Sequence, residues 1–316
     1  MKIAILIPCY NEELTVQKVV TDFKGCCPNA DIYVYDNNSK DKTFDLALAA
    51  GAIVSKETMQ GKGNVVRSMF RDIDADVYVL VDGDDTYPAD EIQKLIHPVL
   101  NDGVDMVIGD RLSNGTYFKE NKRGFHGLGN NLVKGLINKL FKSDIKDIMT
   151  GYRAYSKKFV KCMPIMSDGF QIETEMTIFS LVYGMKIAEV PINYRDRPEG
   201  SESKLNTFSD GFKVLVTLFD LFKNYRPFLF FGIISFVFAI FGIFAGIPVI
   251  SEFIKTAYVS KLPSAVLAAS LCIISFILFL VGVILDSIKN QTQLLFQMHV
   301  NEFMRNNANK NKMSKK

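Results

Sequence analysis

Three carboxylates stand close together at Asp82-Gly83-Asp84-Asp85, directly after the apolar run Val77-Tyr78-Val79-Leu80-Val81. The run reads as a buried strand. Like charges at such spacing repel one another and need solvation or a counter-charge, and a hard divalent cation is a good one. In open α/β sheets ligands sit beyond the carboxyl ends of the strands, where these acids fall. Alone, the stretch has two readings. It is a solvated acidic turn, helped by Gly83 and Pro88, or a metal-assisted site for a phosphate-bearing substrate.

Other groups could serve the same chemistry. Gly61-Lys62-Gly63 puts one cation on a loop that permits close backbone approach, although no GxxxxGK[ST] phosphate loop occurs. Arg195, Arg197, Ser203 and Lys204 place four phosphate-capable groups within ten residues. They suit either a lid over a phosphate or a cationic surface facing anionic lipid. His97, His126 and His299 match no triad or metal spacing, and no Gly-x-Ser-x-Gly string is present.

The elements that must position these residues alternate over 1–110. Strand signals at Lys2–Pro8, Asp31–Tyr35, Ala52–Lys56, Val77–Val81 and Val104–Gly109 interleave with helical ones at Leu14–Phe23, Lys42–Ala50, Gly63–Asp72 and Ala89–Asn101. That rhythm predicts a mostly parallel sheet with helices on both faces. Beyond Arg111 the pattern loosens: a loop at Leu112–Arg123, helices at Leu128–Phe141 and Ile172–Tyr183, a strand at Lys186–Tyr194 and a loop at Asp196–Asn206. Thr207–Asn224 carries Phe208, Phe212, Leu215, Val216, Phe219 and Phe222 on one stripe. It reads as an amphipathic helix lying on a membrane surface or packed on a core.

The 316-residue chain has a net charge of +3 and no basic run interleaved with aromatics, which gives no reason to expect nucleic acid. Five cysteines without CxxC or Cys/His spacing fit a reduced compartment. Pro8 interrupts the N-terminal apolar run too early for a signal peptide. No charge occurs from Pro227 to Ser251 or from Leu262 to Leu285, so a two-span hairpin is expected at about 228–250 and 263–285. Lys223 and Arg226 precede it, and Lys289, Arg305, Lys310, Lys312, Lys315 and Lys316 follow. The positive-inside rule then puts residues 1–226, the tail and so both termini in the cytoplasm of a cell-membrane protein. The expected domains are 1–206, an amphipathic segment 207–226, a hairpin 227–286 and a basic tail 287–316. Gly232, Gly242 and Gly246 would allow close helix packing, compatible with a dimer or tetramer.

Pro8-Cys9-Tyr10-Asn11-Glu12, Asp36-Asn37-Asn38-Ser39, Gln60-Gly61-Lys62-Gly63 and Asp82-Gly83-Asp84 all fall at one edge of the expected sheet. Together they resemble the family 2 glycosyltransferases of GT-A fold, over about residues 1–226. With the hairpin, the chain resembles the polyprenyl-phosphate, dolichol-phosphate-sugar type. The resemblance implies a slot for a nucleotide-sugar at Pro8, Tyr10, Glu12, Asp36, Asn38, Lys62, Asp82 and Gly83, with Glu173 near the sugar. It implies Mg²⁺ or Mn²⁺ on Asp82 and Asp84. Asp36 would accept from a uracil N–H; the family often has Asp-Asp-Gly-Ser here, so the contacts of Asn37 and Asn38 differ. Asp147-Ile148-Met149-Thr150-Gly151-Tyr152-Arg153 resembles the family's D-x-x-[ST]-G-[FY]-R segment. Asp147, Arg111 and Arg153 are thereby implied as catalytic, and Arg111, Arg195, Arg197, Ser203 and Lys204 as ligands of lipid phosphate or diphosphate. Asp147 takes the position of a catalytic base, but a phosphate monoester is already mostly ionised at neutral pH. It serves as base or as positioning group.

The implied activity is inverting, metal-dependent transfer of glucose or N-acetylglucosamine from a UDP-sugar to polyprenyl (undecaprenyl) phosphate in the lipid bilayer. Two other readings stand beside it: a polysaccharide synthase, which typically carries a Gln-x-x-Arg-Trp motif where this chain has no Trp, and an inactive membrane adaptor.

Overall fold

Short β-branched and aromatic runs, each closed by a polar strand end, assemble into one seven-stranded sheet in the computed structural model. It describes residues 1–115, 126–198, 200, 216, 219–220 and 222–313. The expected loop residues Ser203 and Lys204, and most of the amphipathic segment 207–226, lie outside the described residues.

The strands are β1 (Ile3–Cys9), β2 (Ala30–Asp36), β3 (Ile53–Lys56), β4 (Val77–Leu80), β5 (Met106–Asp110), β6 (Arg153–Ser156) and β7 (Ile187–Pro191). They run in the order β3-β2-β1-β4-β6-β5-β7. The helices of this part are α1 (Val16–Cys26), α2 (Thr43–Ala49), α3 (Lys62–Asp72), α4 (Ile92–Asn101), α5 (His126–Phe141), α6 (Lys157–Cys162) and α7 (Ile172–Val182). Ile5, Ile7, Val20, Phe23, Val79 and Leu95 are among the fully covered core side chains. Each contributes roughly 1.5–3 kcal/mol by leaving water, an upper estimate because unfolded chains already hide some surface.

Strand β6 departs from the expected organisation. The sequence pattern gives no strand at Arg153–Ser156, because four residues are too few to show a period. It lies antiparallel between β4 and β5, pairing Leu80 with Arg153 and Ile108 with Arg153. An antiparallel strand begins where its parallel neighbours end. The segment Asp147–Tyr152, which feeds β6, therefore arrives at the edge that already carries Asp82 and Arg111.

The remaining helices are α8 (Pro227–Thr256) and α9 (Leu262–Met313). Both are long and apolar enough to cross a membrane. The 30 residues of α8 span about 45 Å at 1.5 Å per residue, against a hydrocarbon core of about 30 Å. Ser235 and Ser275 exchange hydroxyl-to-carbonyl hydrogen bonds across the pair, 2.8 Å each way. Gly242 faces Cys272 so closely that an added Cβ would lie 2.9 Å from its sulfur, and Gly246 faces Ala268. Two of the glycines expected to serve association between chains thus pack inside the hairpin. Helix α9 continues well past the expected span end at 285, since no Gly or Pro follows Gly282 to stop it. By contacts, Met1–Leu215 with His299–Lys316 forms one unit and Val216–Met298 another.

Candidate active site

A cleft of about 550 Å³ opens at the carboxyl edge of the sheet. Pro8, Tyr10 and Glu12 from the end of β1 line it, with Lys62, the Asp82–Asp84 turn, Asp168–Gln171 and Arg197. The acidic turn is built from both sides. The Thr15 hydroxyl at the start of α1 donates to Gly83 O at 2.6 Å, and the Thr86 hydroxyl donates to Asp84 Oδ1 at 2.6 Å. Asp84 is almost wholly buried and its other oxygen pairs with Arg197. Burial, then the nearby Asp82 charge, push the Asp84 carboxyl above its ordinary value, while Arg197 and Thr86 oppose them. Asp85 takes a left-handed conformation, φ 60°, and pairs with Lys18 on α1 at 2.7 Å. Its carboxylate serves the turn.

Lys62 is buried between Asp82 and Glu173, its ammonium 2.6 Å from Glu173 Oε1. Burial alone would lower its pKa, but attraction to Asp82 and Glu173 and the hydrogen bonds to both outweigh that and hold it raised. The glycines around Lys62 have a different task from the one expected. An added Cβ on Gly63 would lie 2.0 Å from Ser167 O, and Gly63 N–H donates to Asp168 O at 2.9 Å. The missing side chain thus admits the 167–168 backbone, not a phosphate. Glu175 in the first turn of α7 fixes that backbone by accepting from the N–H groups of Met166 and Ser167, 2.9 Å each.

Asp36 closes β2 and is 2 % exposed, yet its Oδ1 has no hydrogen-bond partner among the described residues. A buried unpaired acceptor is costly unless a ligand donor meets it. The asparagines beside it turn to the neighbouring loop. Asn37 Oδ1 accepts from Gly61 N–H at 2.7 Å, and its amide donates to Glu57 O and Met59 O. Asn38 donates to Thr58 O at 2.7 Å and is exposed outside the cleft lining, so its expected nucleotide contact is corrected to a loop brace.

The residues expected on the acceptor side meet next to the cleft. Asp147 is fully buried and grips Arg111 in a fork: Nε to Oδ2 at 2.7 Å and Nη2 to Oδ1 at 2.9 Å. Arg111 backbone N–H adds a bond at 3.2 Å, and the guanidinium lies 5.7 Å over the Tyr194 ring. Glu189 on β7 accepts from the backbone N–H groups of Lys146 and Asp147. Burial raises the Glu189 carboxyl, opposed by those two N–H groups. Both Asp147 oxygens are thus engaged by Arg111, and none of the residue is exposed. Arg153 also needs correction. It is 0 % exposed and donates to Thr150 O at 3.0 Å, Thr177 Oγ1 at 2.9 Å and Ile148 O. It clamps the 147–151 loop from beneath and touches nothing that enters the site. Arg195 is exposed, and its backbone N–H donates to Thr86 O.

Comparison with known proteins bears directly on this arrangement. Residues 4–163, half of the chain, match the model for Glycosyl transferase family 2. The chain belongs to glycosyl transferase family 2. Glycosyltransferase AglJ of Haloferax volcanii is 35% identical over 238 residues, covering 74% of this chain and 76% of that one. The dolichyl-phosphate hexose transferase of the same organism is 32% identical over 209 residues, covering 66% and 89%. Among solved structures, glucosyl-3-phosphoglycerate synthase of Mycobacterium tuberculosis, in complex with Mn²⁺, UDP and glucosyl-3-phosphoglycerate, superposes with a TM-score of 0.58. It is 20% identical and covers 70% of this chain and 79% of that one, a likeness of fold.

In this glycosyltransferase the expected donor-side residues Pro8, Tyr10, Glu12, Lys62, Asp82, Gly83, Asp84 and Arg197 share one cleft. Glu173 reaches it through Lys62. Glu175, beside Glu173 in the first turn of α7, instead holds the 166–167 backbone. Two residues that matter were missed. Thr15 is an ordinary helix-start residue in sequence, and only the fold brings it to the acidic turn. Tyr87 passes for a turn residue, yet its hydroxyl sits beside Arg111 and Gly151.

Proposed function

We propose that this family 2 glycosyltransferase moves a hexose, glucose or N-acetylglucosamine, from a UDP-sugar to polyprenyl phosphate with inversion at C1. The observation that carries the reading is the buried Asp36 oxygen without a partner among the described residues. It stands at the sheet edge next to Asn37, which lines the cleft of about 550 Å³, and a uracil N3–H would supply the donor it lacks. Pro8 and Tyr10 wall the base, and Lys62 faces the diphosphate end.

The donor set fits a divalent cation. Asp82 and Asp84 are hard oxygen ligands, each now held by a cationic side chain, Lys62 or Arg197. Among the described residues no group of three His, Cys, Asp or Glu side chains could hold a metal alone. One or two carboxylates plus diphosphate oxygens is the usual coordination of Mg²⁺ or Mn²⁺. When bound, the cation offsets charge on the departing UDP. Arg111 takes the acceptor phosphate, and Asp147 fixes the guanidinium plane behind it. The phosphate oxygen bonds to C1 as the C1–O bond to UDP breaks on the opposite face. No general base is required, since the phosphate is already ionised. Arg195, Arg197, Ser203 and Lys204 are assigned to the phosphates of donor or acceptor.

The acceptor's long tail stays in the bilayer, and α8 and α9 anchor the enzyme there, raising the effective concentration of the two reactants. We place the catalytic domain, 1–206, and both termini on the cytoplasmic face, with the juxtamembrane segment 207–226, the hairpin 227–286 and the tail 287–316. The bias of Lys223, Arg226 and Lys289 over the connector's Lys255 and Lys261 supports that orientation.

The purified enzyme, incubated with radiolabelled UDP-sugars and undecaprenyl phosphate, forms a labelled glycolipid that EDTA abolishes and Mn²⁺ restores. No metal-dependent glycolipid with any donor would sink the proposal.

A further inference from the structure

One buried group bonds to the Arg111 side of the site and reaches the Asp82 side through Gly151. Tyr87 follows the acidic turn and is 4 % exposed. Its hydroxyl oxygen accepts the Gly151 N–H at 3.0 Å, and Arg111 Nη1 and the Thr150 hydroxyl each lie 3.4 Å from it. Gly151 in turn stands hard against the donor side: a Cβ added there would lie 2.3 Å from Asp82 Oδ2. The ring is held independently of the hydroxyl. It packs 5.3 Å from the Tyr152 ring and 5.9 Å from Tyr194, the ring beneath the Arg111 guanidinium.

We propose that Tyr87 is a positioning residue whose hydroxyl sets Arg111 and the Gly151 backbone relative to Asp82, and so aligns acceptor with donor. The proposal rests on the reading of Arg111 as the acceptor-phosphate ligand. Arg111 has two rigid constraints from Asp147, which fix the guanidinium against the 147 loop but not against the acidic turn. Tyr87 belongs to the segment of that turn. Its hydroxyl is a contact that joins the turn segment to Arg111 and to Gly151 at once. A reaction in line between two separately bound phosphates loses rate steeply when the two sites drift apart by a fraction of an ångström. Aromatic packing alone would keep the loop folded without setting that distance.

Tyr87→Phe keeps the ring and removes the one oxygen. Steady-state kinetics with UDP-sugar and undecaprenyl phosphate, UDP·Mn²⁺ calorimetry and thermal melts are run on the full-length enzyme. The variant is expected to turn over about 10- to 50-fold more slowly, with UDP affinity and donor KM within about twofold and little change in melting temperature. An unchanged turnover rate overturns the proposal. So does a parallel fall in UDP affinity and melting temperature, which would mark a merely structural role. If the wild type makes no glycolipid with any donor, the functional reading fails, and Tyr87 is judged on binding of dodecyl phosphate. Binding about fivefold weaker in the variant, with UDP affinity retained, supports the proposal. Equal binding, or none by the wild type, overturns it.

Discussion

Replacing Asp147 with Asn tests whether this carboxylate is a base or a holder of Arg111. The change is nearly isosteric and removes one negative charge. In the folded enzyme that charge faces Arg111 through bonds of 2.7 and 2.9 Å, with Asp147 at 0% and Arg111 at 10% side-chain exposure. Breaking a buried pair by removing one partner costs about 3–5 kcal/mol, because the other charge stays buried. A loss of about 3–5 kcal/mol, expressed where Arg111 meets the acceptor, slows turnover by about 150- to 5000-fold at roughly 1.36 kcal/mol per decade. The assay is the initial rate at saturating donor from about pH 5.5 to 8.5, a range that brackets the second phosphate pKa near 6. A positioning role predicts the same fractional loss at every pH. A base predicts that the variant climbs as the phosphate ionises and converges on the wild type above about pH 7. Convergence would refute the positioning role. UDP binding at unchanged stoichiometry confirms that the variant is folded.

Lys62→Met leaves Asp82 and Glu173 facing each other without their shared cation, and donor affinity should fall at least about tenfold by calorimetry. The pKa of Lys62 is raised above its ordinary 10.5, so its stabilising contribution is complete below that value and is lost only as pH rises through the higher folded value. Melts of the wild type should show no Lys62-linked loss between about pH 6 and 9, whereas the variant should gain stability as pH falls and one carboxyl takes a proton. Gly63→Ala drives a methyl group to 2.0 Å from Ser167 O; it should cost about 1–3 kcal/mol or more and weaken UDP-sugar binding, and a variant with wild-type melting and affinity would contradict the role given to this glycine. Tyr155 carries a buried hydroxyl without a partner among the described residues, so Tyr155→Phe should be neutral or stabilising by up to about 1 kcal/mol; a clear drop in denaturant midpoint would count against that.

The amino-acid order alone determined a good deal. Strand-closing polar motifs at Pro8–Glu12, Asp36–Ser39 and Asp82–Asp84 were legible because each follows a local apolar run, and periodicity acts over neighbouring residues. The two uncharged stretches were legible for the same reason, since length and composition decide whether a helix can cross a bilayer. Tertiary structure decided what could not be local. The antiparallel insertion of β6 brings Asp147 to the edge that holds Asp82, through pairings between residues more than seventy positions apart. The same folding buries Arg153 under its loop and fills the space at Gly63 with backbone from 167–168. It also turns Asn38 out of the cleft toward Thr58. Asp82-Gly83-Asp84 announces the chemistry in sequence. Which cation faces each acid, and that both Asp147 oxygens meet Arg111, depend on distances that only the packed chain fixes, because charge and hydrogen-bond partners are chosen by proximity in space.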